Sequence, residues 1–203
     1  SVTAIGEVSP DQFVQRSTAK KGNLLCCSGD LGAAYIGLVL LEREKKIFLE
    51  SPGIKPDLEG EKYVIGRMLK PEAAKEITGF FEREDIRPTA MMDISDGLSS
   101  EILHLCRESN LGCLVYEEKI PIAEETRKAA FKFELDPTAC ALSGGEDYEL
   151  LFTIEQADYD KLVLNEKISV IGYMTAPEEG KKILTRGGNK FDITAQGWNA
   201  FNP

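Results

Sequence analysis

The chain has 203 residues, of which 42% are hydrophobic and 29% are charged, a composition typical of a soluble globular protein. Its net charge is −10 and only short basic pairs occur, so it lacks the basic patch of nucleic-acid-binding proteins, and we expect no nucleic-acid partner. No apolar run approaches the roughly 18 to 20 residues of a membrane helix, and no signal peptide is recognisable. We therefore expect no membrane partner and a cytoplasmic location.

The first part of the chain is predicted to form two short strands and two helices. Residues 2–8 and 23–30 are apolar and β-rich, as strands are. Apolar residues recur at helical spacing after Gly32, and a proline in the first turn marks a second helix over residues 71–83. The charged segment 42–62, with its prolines and glycines, is predicted to be a surface excursion.

The rest of the chain alternates strands with helices at irregular spacing. Strands are predicted over residues 89–95, 112–120, 148–154, 169–174, 182–186 and 190–193, and helices over residues 98–109, 122–134 and 157–164. This irregular alternation indicates an α+β fold, a mixed β-sheet with helices packed on one face.

The cysteines and the single histidine restrict the chemistry that the chain can perform alone. An odd number of cysteines without a C-x-x-C pair indicates buried, reduced thiols at Cys26, Cys27, Cys106, Cys113 and Cys140. A histidine-based triad or a zinc site with several histidines is excluded within this chain, because His104 is the only histidine. We expect His104 to have a structural role.

The stretch DISDG places two carboxylates, those of Asp93 and Asp96, between a predicted strand and a predicted helix. A helix N-terminus offers free N–H groups to a phosphate, and Mg²⁺ takes few protein ligands and shares the others with phosphate oxygens. The alternative is that Ser95 or Asp96 caps the helix while Gly97 serves the turn. Spacing alone favours this alternative.

Three further features offer groups for ligand binding. The segment SGGEDYE sets Glu146 and two other acids beside a Gly-Gly loop, which suits a cationic ligand or a metal as well as it suits a solvated turn. Arg16 lies in a loop with hydroxyl residues and can pair with phosphate. Trp198, the only tryptophan, can stack on a flat ring. On spacing alone, a solvated arginine and a tryptophan that anchors the terminus are the favoured interpretations.

Five segments in this order are more specific than any one of them: RSTAKKGNLLCCSGDLGAA, IGRMLKPEA, DISDGLSSEILHLC, ALSGGEDYELLFT and a terminal GW. Together they resemble the thiamine-monophosphate kinase family over essentially the whole chain. SGGEDYELLFT is the most discriminating of them. DISDGL is partly shared with the wider superfamily of aminoimidazole-ribonucleotide synthetase-like ATP-dependent enzymes.

The resemblance implies an enzyme that transfers the γ-phosphoryl group of ATP to thiamine monophosphate, with Mg²⁺ ions and without a protein nucleophile. It implies a homodimer for the complete enzyme. It also implies that residues 1–22 are the last strand and linker of an N-terminal domain, whose acidic metal-binding segments have no counterpart here. Residues 23–203 then form the C-terminal domain, with the fold of the synthetase-like superfamily.

The roles of the family's site residues pass to the matching positions of this sequence. The resemblance assigns ATP contacts to Arg16 and Ser95, Mg²⁺ binding to Asp93 and Asp96, and contacts with the thiamine substrate to Glu146 and Trp198. Two alternatives stay open. One is a superfamily relative with another substrate, and the other is a ligand-binding domain without turnover.

Overall fold

The computed structural model describes residues 3, 5–10 and 12–195, in which one mixed sheet carries helices on both faces. Its strands are β1 (Leu24–Ser28), β2 (Ala90–Ile94), β3 (Gly112–Tyr116), β4 (Glu149–Ile154), β5 (Ile168–Thr175), β6 (Lys181–Leu184) and β7 (Lys190–Asp192). Its helices are α1 (Ala33–Glu50), α2 (Lys62–Leu69), α3 (Lys75–Arg83), α4 (Leu98–Glu108), α5 (Glu124–Lys132), α6 (Pro137–Ser143) and α7 (Tyr159–Leu162).

The seven strands form one sheet in the order β2-β4-β1-β5-β3-β6-β7. All neighbouring strands are antiparallel except β3 and β6, which are parallel. At one edge, β2 pairs with β4 so that Asp93 lies opposite Leu150 and Ile94 opposite Glu149. Because this pair is antiparallel, the segment that follows β2 and the segment that precedes β4 meet at the same end of the sheet.

Both faces of the central strands are apolar, so both must be covered. Successive residues of a strand point to opposite faces. Leu25 in β1 packs into a core that Leu98 of α4 closes. Cys26 points the other way and joins a second core with Phe81 of α3 and Phe152 of β4, whose rings meet edge to face with centroids 4.9 Å apart.

A third apolar cluster joins α1, α2, α5 and α6 to one another. It includes Ile36 of α1, Val64 of α2 and Cys140 of α6, all of them buried. Helices α1 and α2 pack closely, because a Cβ on Gly37 would lie only 2.2 Å from the carbonyl oxygen of Val64. This packing fixes α2, and with it Arg67, against α1.

The α+β class and the mixed sheet are confirmed. The prediction that helices cover one face holds only for the layer that contains α4. Helices α3 and α7 contribute to the core on the opposite face. The apolar residues that β1 and β4 present there require this second cover. The five cysteines are buried and free, as predicted. Among the described residues, none of the helices has the length and hydropathy needed to cross a membrane.

The largest differences from the predicted elements lie in the first third of the chain. Helix α1 continues to Glu50, and α2 follows from Lys62, within a segment predicted to be a surface excursion. Glutamate, lysine and arginine are strong helix formers, so a run of charge does not stop a helix. Residues 3 and 5–8, the described part of the predicted first strand, form no strand. The domain boundary after residue 22 stays a prediction.

Candidate functional site

The DISDG stretch connects the edge strand β2 to helix α4, as predicted. Strand β2 ends at the buried Ile94, and α4 begins at Leu98 after its N-cap Gly97. Asp93 and Asp96 are both exposed. The strand and the helix therefore hold this loop at its two ends and leave both carboxylates open to solvent.

The loop that precedes β4, residues 144–148, packs directly against the DISDG loop. The amide of Glu146 donates a hydrogen bond to the carbonyl oxygen of Ser95 at 2.7 Å, and the amide of Tyr148 donates one to the carbonyl oxygen of Ile94 at 2.9 Å. The two motifs that the sequence singled out independently thus form one backbone-bonded unit.

Two glycines permit this close approach. A Cβ on Gly145 would lie 2.5 Å from the carbonyl oxygen of Ser95, and a Cβ on Gly97 would lie 2.8 Å from the carbonyl oxygen of Leu142. Both glycines also have a positive φ, 71° and 105° respectively, which side chains disfavour. The two loops can therefore touch only because neither position has a side chain.

Side chains 146–149 alternate between two sides of the loop. Glu146 and Tyr148 are exposed, whereas Asp147 and Glu149 are buried. The chain consequently presents one pair of polar groups to solvent, beside the DISDG loop, and a second pair to the interior.

The outer side of the site brings three carboxylates into one electrostatic neighbourhood. The hydroxyl of Tyr148 donates a hydrogen bond of 2.9 Å to Oε2 of Glu146. This hydrogen bond and the charge of Glu146 raise the pKa of Tyr148, and the negative charges of Asp93 and Asp96 raise it further. Asp93, Asp96 and Glu146 therefore face the same exposed region.

The structure decides against helix capping as the purpose of these acids. The N-cap of α4 is Gly97, and no side chain bonds to the first turn of the helix as a cap. Within the described part of the chain, no hydrogen bond or ion pair engages the carboxylate of Asp93 or of Asp96. Glu101 supports the loop from below, since its buried Oε1 accepts a hydrogen bond from the amide of Asp96 at 3.1 Å.

On the inner side, Asp147 ties the loop to the start of helix α1. Its carboxylate is 1% exposed and accepts hydrogen bonds from the amides of Gly32 at 2.8 Å and of Ala34 at 3.4 Å. Burial raises the pKa of Asp147 to about 6, against the opposing effect of these two amide donors.

Arg67 of α2 completes the inner side. Its guanidinium donates to Oε1 of Glu149 at 2.9 Å, and also to the carbonyl oxygens of Asp30 at 3.1 Å and Asp147 at 3.3 Å. The other carboxylate oxygen of Glu149 accepts a hydrogen bond from the hydroxyl of Ser28. A buried network of charged and polar groups thus backs the exposed acids.

The raised pKa of Asp147 predicts a pH dependence of stability. The folded state holds this proton more tightly than the unfolded state, so the stabilisation is present at about pH 4 and is lost as the pH rises through about 6. At about 1.4 kcal/mol per pKa unit, we expect wild type to lose about 3 kcal/mol relative to Asp147→Asn over this range. Urea unfolding of both proteins at a series of pH values measures the difference, and a constant difference would contradict the prediction.

Arg16 stands apart from this unit. The carbonyl oxygen of Arg16 accepts a hydrogen bond from the hydroxyl of Ser109, which caps the C-terminal end of α4. That end lies about 16 Å along the helix from the DISDG loop, at 1.5 Å per residue. Trp198 lies outside the described residues. The roles assigned to both residues stay predictions.

The exposed acids of the outer side suit a metal ion that is also bound by the phosphate groups of a ligand better than a metal ion bound by protein side chains alone. No group of three or more histidine, cysteine, aspartate or glutamate side chains is placed to hold a metal among residues 3, 5–10 and 12–195. Asp93 and Asp96 offer two exposed carboxylates, and Mg²⁺ typically binds through one or two carboxylates together with phosphate oxygens and water. The residues present therefore fit a Mg²⁺ ion that arrives with a polyphosphate.

Comparison with known proteins identifies relatives over nearly the whole chain. A thiamine-monophosphate kinase of Pyrococcus horikoshii is 31% identical over 200 residues, which are 96% of this chain and 55% of the relative. One from Aquifex aeolicus is 31% identical over 201 residues, 99% of this chain and 58% of the relative. No protein-family model matches the chain.

Solved structures give the same result for the fold. AaThiL complexed with AMPPCP and TMP superposes with a TM-score of 0.73 at 29% identity, over 94% of this chain and 55% of that one. A hydrogenase maturation protein in complex with ATP superposes with a TM-score of 0.62 at 16% identity, over 97% of this chain and 57% of that one.

These likenesses give first the fold class of the chain and then the family that it resembles. The fold is the one shared by AaThiL and the hydrogenase maturation protein, the α+β fold of the synthetase-like superfamily. Within that class the chain is similar to the thiamine-monophosphate kinases over nearly its whole length, which confirms the resemblance seen in its motifs. The chain spans about half the length of the curated relatives it matches.

Proposed function

We propose that this chain forms the C-terminal half of an enzyme that phosphorylates thiamine monophosphate with ATP and Mg²⁺, producing thiamine diphosphate. The observation that carries the proposal is the meeting of two loops that set Asp93, Asp96 and Glu146 on one exposed side. The kinase relatives, and the AaThiL structure with AMPPCP and TMP, support it.

The side chains of the site, two exposed carboxylates without a protein nucleophile, suit phosphoryl transfer between two phosphates. Such a reaction depends on positioning and charge neutralisation, with little covalent chemistry for the protein to perform. Asp93 and Asp96 would hold Mg²⁺ against the phosphate oxygens of ATP, and Ser95 would contact the nucleotide. Mg²⁺ would neutralise charge that the phosphates carry and develop. The absence of a second histidine beside His104 is then no obstacle.

Glu146 is the residue that we assign to the thiamine substrate. Its carboxylate is exposed, and the Tyr148 hydroxyl orients it. Thiamine monophosphate carries a cationic thiazolium ring and an aminopyrimidine, and a carboxylate can pair with either. Trp198 would line the same substrate and Arg16 would contact ATP. We also expect the complete enzyme to be a homodimer, formed through the N-terminal domain that the resemblance implies.

The test is formation of thiamine diphosphate from ATP, Mg²⁺ and thiamine monophosphate, with this chain and the complete natural polypeptide assayed side by side. We expect product from the complete polypeptide, and little or none from this chain, because the acidic segments expected in the N-terminal half complete the site. Product from neither would overturn the substrate assignment. The assay would then turn to other substrates of the superfamily, or to nucleotide binding without turnover.

A further inference from the structure

We propose that Asp147 is a positioning residue, which holds Glu146 in its outward orientation by fastening the loop that contains both residues to the N-terminus of helix α1. This inference rests on the proposed function, because it gives Glu146 the task of binding the thiamine substrate. It adds a residue that lies on the opposite side of the loop from the substrate and acts only through Glu146.

Helix α1 depends on Asp147 for its cap. Its N-cap is Gly32, with φ of 86°, which has no side chain to bond the free amides of the first turn. The first turn also contains no acidic residue. Asp147, more than a hundred residues later in the chain, supplies the missing acceptor with both oxygens, to the amides of Gly32 and Ala34. The 18-residue helix and the loop are therefore anchored to each other.

The loop needs this anchor because its backbone is unfavourable. Glu146 and Tyr148, on either side of Asp147, have φ values of 64° and 53°, in the left-handed region that residues with side chains rarely occupy. Such residues are strained, and they persist only where the surroundings enforce them. Without the anchor, the loop would relax towards ordinary φ values and turn Glu146 away.

Arg67 of α2 adds further hydrogen bonds on the inner side of the loop, next to the Asp147 carboxylate. It bonds the carbonyl oxygen of Asp147 itself and the carboxylate of the neighbouring Glu149. The backbone amides on the outer side, those of Glu146 and Tyr148, are bonded to β2 and the DISDG loop. The loop is thus held from both sides, and the carboxylate of Asp147 is the group that connects it to helix α1.

The expected consequence is specific to one substrate. In the complete polypeptide, Asp147→Ala should raise the KM for thiamine monophosphate about tenfold or more, since displacement of a positioning group by about 1 Å can cost up to about 100-fold. The KM for ATP should stay within about twofold, because the ATP contacts are assigned to other loops. Asp147→Asn keeps one acceptor oxygen and should raise the KM for thiamine monophosphate only about threefold.

Glu44 provides the matched control. It is a buried acid on α1 that accepts a hydrogen bond from the amide of Asp57 at 2.8 Å and pairs with Arg43 at 2.6 Å, away from the loop. Glu44→Ala should lower stability while leaving both KM values within about twofold. Equal increases in both KM values for Asp147→Ala, or no change in either, would overturn the inference.

Hydrogen exchange separates this inference from the proposed function. In this chain, Asp147→Ala should accelerate exchange of the Glu146 and Tyr148 amides about tenfold and spare the Asp57 amide, whereas Glu44→Ala should do the reverse. If the complete polypeptide forms no thiamine diphosphate, the proposed function fails, and exchange still decides whether Asp147 fixes the loop. Unchanged exchange at Glu146 and Tyr148 would overturn the inference whatever the kinase assay shows. Should Asp147→Ala fail to fold, Asp147→Asn supports the same comparison.

Discussion

Replacing Asp93 with asparagine in the complete polypeptide is expected to lower kcat by about 100- to 1000-fold, the range seen when one preorganised electrostatic contact to developing charge is removed. Asp93 is exposed at the end of β2, and no described hydrogen bond or ion pair depends on its carboxylate. Asparagine keeps the size of the side chain but not the charge that would hold Mg²⁺ against ATP. The fold should therefore survive while turnover is lost.

The measurement is thiamine diphosphate formation under saturating ATP and thiamine monophosphate, beside urea unfolding of the same protein. Asp160→Asn is the matched control, because Asp160 is another exposed aspartate, in α7, which follows the opposite end of β4 from the two loops. It should retain full turnover. Turnover of Asp93→Asn within a factor of about two of wild type would remove Asp93 from the metal site.

The local structure around the site follows from the sequence. An apolar run, a Gly-containing turn and a 3.6-residue apolar period predict a strand, a loop and a helix over residues 89–109, and β2 and α4 occupy those positions. Helix α6 has a comparable local signal in the sequence. Asp136 caps it, and Pro137 occupies its first position. Local patterns are sufficient for elements of this kind.

The pairing of the two loops could not be obtained in that way. It depends on β2 lying beside β4 in the sheet, which brings Ser95 against Gly145 across about fifty residues of chain. The inner network is still less local. Arg67 and Asp147 meet only because α2 packs on α1. Helix α2 begins at the end of a charged segment that was predicted to be a surface excursion. Sequence patterns of short period contain no information on contacts of this range.

The second large effect is expected from Gly145→Ala, which tests whether the two loops must touch. Gly145 has φ of 71°, and the new Cβ would lie 2.5 Å from the carbonyl oxygen of Ser95, a backbone atom that cannot move aside cheaply. The left-handed conformation costs about 1–2 kcal/mol and the overpacking about 1–3 kcal/mol more. The expected decrease in the free energy of unfolding, about 2–5 kcal/mol, is large compared with the typical total of about 5–15 kcal/mol.

Gly60→Ala isolates the contribution of the contact. Gly60 has φ of 82°, but a Cβ there would meet nothing within 4 Å, so this variant has the backbone strain without the clash. Urea unfolding should show that Gly145→Ala loses about 1–3 kcal/mol more stability than Gly60→Ala. Kinase activity, compared where both variants are folded, should fall only for Gly145→Ala, because separating the loops moves Glu146 away from Asp96. Equal losses of stability and activity in the two variants would mean that the close approach of the loops contributes nothing beyond the turn itself.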